Sequence, residues 1–85
     1  MEIRTTPYFD RRYKKLPLII KKKAIERENI FKRNPFNSRL NTHKLHGKKK
    51  DEWAYSVDYN YRISFIFVGK GKILYTDTGT HNEVY

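Results

Sequence analysis

The sequence predicts an α+β fold: an N-terminal strand, then a two-helix hairpin packed on an antiparallel sheet that ends in a three-strand meander. Three observations lead there. Apolar residues recur at helical spacing between residues 7 and 33. From Trp53 onward the apolar period changes to two. The connections carry Pro, Gly and Asn, which break regular structure.

Taken in order, Glu2-Ile3-Arg4-Thr5 reads as a short strand. Thr6-Pro7 reads as a helix N-cap followed by a first-turn proline. Phe9, Tyr13 and Leu16 form one buried stripe, and Pro17 restarts a second helix. Ile20, Ala24 and Phe31, with Ile25 and Ile30 beside them, continue the 3.6-residue period until Asn34-Pro35 ends it. Lys14, Lys15 and Lys21 to Lys23 fall on solvated faces. Residues 34 to 52 form a long polar connection. Trp53, Tyr55 and Val57 then alternate with Ala54, Ser56 and Asp58. After a turn near Tyr59-Asn60, Tyr61, Ile63, Phe65 and Phe67 alternate with Arg62, Ser64, Ile66 and Val68. Gly69-Lys70-Gly71 marks the next turn, and Ile73 to Thr78 the last strand. On this pleat Ile63, Phe65 and Phe67 face the helices, while Arg62 and Ser64 face the open side.

Eighty-five residues suit one domain, 1–85. Nineteen Lys and Arg against nine Asp and Glu give a net charge of +10. Such a charge favours a polyanionic partner: nucleic acid, an anionic surface or an acidic protein. With no cysteine there is neither a disulfide framework nor a thiolate nucleophile. No apolar run is long enough to span a membrane, and no signal-peptide core opens the chain. A cytoplasmic location is therefore expected, with no membrane partner.

Several residues could carry chemistry, and each has a plainer reading. Arg62 is a solvated residue on a half-exposed sheet or a phosphate-binding cation. His43 is a loop residue or, with His46, part of a metal site, although no Cys or acidic ligand pattern supports one. His81 either closes the sheet edge or moves a proton. Lys48-Lys49-Lys50 is a solvated run or a track for an RNA backbone. Tyr55, Tyr59 and Tyr61 are packing residues or stacking platforms.

His43-Lys44-Leu45-His46-Gly47, Trp53, Tyr61-Arg62-Ile63, Gly79-Thr80-His81 and the final Tyr85 occur in an order that resembles the RelE/ParE superfamily. These are toxins of type II toxin–antitoxin systems. The resemblance covers nearly the whole chain and is strongest to the RelE, YoeB and YafQ branches. It implies a ribosome-dependent endoribonuclease that cleaves mRNA without metal or small-molecule cofactor, held inactive by a cognate acidic antitoxin. Such cleavage uses the ribose 2′-hydroxyl as nucleophile. It needs a base for that proton, an acid for the 5′-oxygen and cations for the phosphate. The resemblance implies His43 as base, His81 as acid and Arg62 as the phosphate contact. It places His46 where some relatives have a lysine, and Tyr85 as the aromatic that stacks on a base or orients the substrate. Tyr85 lies four residues beyond His81, whereas some relatives end directly after a His-Tyr pair. Lys44, His46, Lys48, Lys49 and Lys50 are the expected nucleic-acid contacts. The alternatives are a ParE-like toxin that poisons DNA gyrase without nuclease chemistry, and a non-catalytic RNA- or ribosome-binding module. Only the nuclease requires an acid–base pair.

Overall fold

A computed structural model describes residues 1–49 and 51–85. Thr6 separates strand β1 (Glu2–Thr5) from helix α1 (Pro7–Lys14). Its hydroxyl accepts from the Phe9 amide at 3.0 Å, and Pro7 sits where no N–H is needed. Helix α2 (Leu18–Arg33) starts after Pro17 and stops at Asn34, which is extended ahead of Pro35.

The remaining strands are β2 (His43–Lys44), β3 (Trp53–Ser56), β4 (Tyr61–Gly69) and β5 (Lys72–Thr80), in the spatial order β1-β5-β4-β3-β2. Strands β2 to β5 pair antiparallel. β1 runs parallel to β5, with Ile3 opposite Ile73, so the sheet is mixed rather than antiparallel throughout. The chain reaches β5 from β1 only after both helices and the meander. No tight turn therefore imposes an antiparallel pairing on this edge. The polar connection between residues 34 and 52 also supplies an element that its composition hides, the two-residue strand β2.

The core lies between the helices and one sheet face. Phe9, Leu16, Ile20, Ala24 and Phe31 meet Tyr55, Ile63, Phe65, Ile73 and Tyr75. The Phe31 ring stacks on Tyr55 at 4.7 Å and meets Phe65 edge-on at 4.9 Å. Tyr55 and Tyr75 pair hydroxyl to hydroxyl at 2.8 Å, and burial pushes both phenol pKa values up. Tyr55 is thus a packing residue, while Tyr59 is 91% exposed at the β3–β4 turn. Phe67 departs from the expected alternation: it is 44% exposed. The β4–β5 register shifts at Ser64/Phe65 and again at Phe67/Gly69, and Phe67 packs on Phe36 and Trp53 instead.

The opposite sheet face is not open. Ala54 and Ser64, paired across β3 and β4, are both fully buried, as is Val84. A single turn of helix, α3 (His81–Val84), packs over β4 and β5. Among the described residues no helix is long and apolar enough to cross a membrane.

Candidate active site

Strand register brings the expected residues to one face. His43 pairs with Ala54, and Ala54 with Ser64. Side chains opposite each other share a face, and so do residues two apart on one strand. His43, Ala54, Ser64 and Arg62 therefore lie on the side away from the helices. Strand β5 delivers His81 to that same side through α3, and the reason lies in Gly79-Thr80-His81. A Cβ on Gly79 would stand 2.5 Å from Arg12 Nη2 and 2.8 Å from Glu83 Oε1, so a larger residue there would push aside the ends of both side chains. Thr80 caps α3: its hydroxyl accepts from the Glu83 amide, and Glu83 Oε1 accepts from the Thr80 amide at 2.8 Å. The Glu83 carboxyl is held below its ordinary pKa, chiefly by that Thr80 amide. His81 is the first residue of the turn, its amide donating to Asn60 O at 2.7 Å.

One helical turn carries the chain from His81 to Tyr85, and the Tyr85 amide donates to His81 O at 3.1 Å. The two rings meet edge to face at 4.2 Å, so the four-residue separation unites them. The Tyr85 hydroxyl lies 2.6 Å from His43 Nε2 and the rings are 5.4 Å apart, nearly perpendicular. Burial raises the Tyr85 phenol pKa, and the neighbouring Arg62 guanidinium opposes that rise. Tyr85 is the residue on which His43, His81 and Arg62 converge. Beside it a pocket of about 260 Å³ is lined by His43, Lys44, Leu45, His46, Lys49 and Tyr85.

Arg62 faces away from α1 and α2, half-buried at the site's edge. Its Nη1 donates to the carbonyls of Asp58, Tyr59 and Tyr61 at 2.7, 3.0 and 3.1 Å, which fixes the guanidinium plane. Its Nε is buried with no hydrogen-bond partner among the described residues. His43, Lys44, His46 and His81 are exposed. Lys49 turns inward: Nζ donates to Val84 O at 2.6 Å and lies 3.9 Å from Asp77. Asp77 also pairs with Arg12 at 3.4 Å. Burial raises the Asp77 pKa, against the pull of the Thr78 amide and then of the two cations. This network ties α1 and the segment after β2 to the turn bearing His81. Lys50 and the Lys48 side chain, both expected nucleic-acid contacts, lie outside the described residues. Among the described residues no group of three or more His, Cys, Asp or Glu side chains is arranged to hold a metal ion.

Sequence reasoning missed the inward turn of Lys49, the Asp77 network and the capping box. The last was readable, since Thr80-x-x-Glu83 is a capping-box spacing. The Asp77 network carries no such signal, because its members come from separate parts of the chain.

No protein-family model and no curated protein matches the chain. Solved structures do. The chain is similar to a YoeB/ParE toxin from Agrobacterium tumefaciens, with a TM-score of 0.78 at 18% identity over 95% of this chain and 99% of that one. It is similar to YafQ from E. coli, with a TM-score of 0.76 at 16% identity over 99% and 97% of the two chains. A chain of the E. coli DinJ–YafQ toxin–antitoxin complex superposes with a TM-score of 0.70 at 18% identity, covering 99% of this chain and 96% of that one. The fold is that of these toxins, as the motif resemblance implies.

Proposed function

We propose that the protein is the toxin of a type II toxin–antitoxin system and acts as an endoribonuclease on mRNA engaged by the ribosome. The observation that carries this reading is the meeting of His43 and His81 on one tyrosine, with Arg62 beside it. Imidazole suits both proton transfers of RNA cleavage near neutral pH. In the proposed reaction His43 Nε2 takes the 2′-hydroxyl proton as that oxygen attacks the phosphorus. The P–O5′ bond breaks, and His81 gives a proton to the leaving 5′-oxygen. Arg62 stabilises the phosphate as negative charge gathers on its oxygens. The products are a 2′,3′-cyclic phosphate and a 5′-hydroxyl. Lys44 and the other exposed cations hold the RNA backbone, and the pocket beside Tyr85 receives a base. The fold shared with the YafQ of a DinJ–YafQ complex supports an antitoxin as the second partner.

His81→Gln tests the acid. Removing one acid–base participant typically costs about 10²–10⁴-fold in rate. The variant is expected to lose that much cleavage while keeping its melting temperature and its ribosome binding. Cleavage at the wild-type rate would overturn the role.

A further inference from the structure

We propose that Asn41 is a positioning residue: its main-chain carbonyl fixes His43 in the tautomer that leaves Nε2 basic and aimed at the pocket. The inference rests on the reading of His43 as the base. His43 Nδ1 lies 2.8 Å from Asn41 O. A carbonyl oxygen only accepts hydrogen bonds, so Nδ1 carries the hydrogen. In the neutral ring Nε2 then holds the lone pair, and the Tyr85 hydroxyl at 2.6 Å donates to it. The second nitrogen of a functional histidine is set by the bond that the first one makes. Here that bond is to the backbone two residues earlier.

The Asn41 backbone is what aims the carbonyl. Its φ of 52° and ψ of 38° place it in the left-handed region, where it ends the short 3-10 turn Ser38–Leu40. It is the one non-glycine residue with positive φ among the described residues. Asparagine tolerates that conformation, and a β-branched residue does not. The Asn41 side chain is exposed, and it is the main-chain carbonyl, not the amide group, that meets His43. The arrangement also gives the Tyr85 hydroxyl a definite role. It occupies, relative to Nε2, the place that a substrate 2′-hydroxyl must take, within hydrogen-bond reach of the base. An arriving ribose displaces one O–H donor with another and meets a base already oriented.

The test is ¹⁵N NMR of histidine-labelled full-length protein under conditions where the imidazole is neutral. The wild type is expected to give a protonated Nδ1 and an unprotonated Nε2 for His43. Asn41→Gly, which permits the left-handed backbone, should keep that signature and the cleavage rate. Asn41→Val should shift His43 toward the Nε2–H form. It should also slow single-turnover cleavage by about tenfold or more, within the range of a misdirected general base, with RNA binding kept. A wild-type His43 protonated on Nε2 overturns the inference, as does an Asn41→Val protein with an unchanged tautomer. If Asn41→Val does not fold, the wild-type and Asn41→Gly spectra still decide. The spectra read the tautomer whether or not RNA is cut. Failure of the nuclease reading would appear as absent cleavage with the Nδ1–H signal intact.

Discussion

Arg62 is held at one nitrogen by three carbonyls, and that geometry sets what it can do for a phosphate. With Nη1 engaged by the carbonyls and Nε buried, the fixed plane leaves Nη2 to meet a phosphate, and a flexible lysine ammonium cannot reproduce that fixed donor. A contact that strengthens as charge gathers on the phosphate oxygens lowers the barrier more than it raises affinity. Arg62→Lys keeps the charge and loses both the plane and the carbonyl clamp. The expected result is near-normal RNA binding with an unaltered salt dependence, and a single-turnover rate reduced about tenfold or more. A variant that cleaves normally would remove Arg62 from the mechanism. The residue alternation that put Arg62 on the other sheet face from Ile63 was readable because a strand's period of two leaves no other choice. The carbonyl clamp was not readable, because it depends on how the Asp58–Tyr61 turn closes. There Asp58 accepts from the Asn60 and Tyr61 amides, both at 2.9 Å.

At the scale of the element, α3 is too short to be stable alone and depends on its cap. Loss of a threonine N-cap typically costs about 1 kcal/mol. The reciprocal bond from the Thr80 amide depresses the Glu83 pKa, and the sign follows. A carboxyl whose folded pKa lies below its unfolded one adds stability that is fully present above the unfolded value. That stability disappears as pH falls through the folded value. Glu83→Ala should therefore melt below the wild type at neutral pH, and the gap should close as the solution is acidified past the carboxyl range. A gap that stays constant with pH would contradict the charged capping box. Because α3 carries His81 and leads into Tyr85, the same variant should also slow cleavage. Both helices, their Pro and Asn boundaries and the meander were legible, since capping and periodicity are local signals. Strand β2 was not: two exposed residues in a polar stretch have no period, and only pairing with β3 makes them a strand. The parallel edge was hidden for the same reason, since pairing between distant segments leaves no local mark.

The whole molecule carries a net charge of +10. Glu2, Glu28, Asp58, Asp77 and Glu83 are each within ion-pair distance of a cation, so part of the acidic complement is already engaged within the fold. An acidic segment of the proposed antitoxin would have an excess of cations to meet, and binding only the folded state would stabilise it. At a hundredfold excess over Kd the gain is about 2.7 kcal/mol. Co-purification with such a partner should raise the melting temperature, and co-expression should relieve growth arrest. A neighbouring acidic protein that neither binds nor protects would count against this part of the reading. The nuclease reading stands or falls on chemistry at the scissile phosphate, where 2′-hydroxyl attack and hydrolysis leave different ends. The most direct measurement is end-group analysis of mRNA incubated with translating ribosomes and the wild-type protein, beside His81→Gln. The expected result is fragments ending in a 2′,3′-cyclic phosphate and beginning with a 5′-hydroxyl, absent with His81→Gln. Intact mRNA, fragments bearing a 5′-phosphate, or equal cleavage by the two proteins would contradict it.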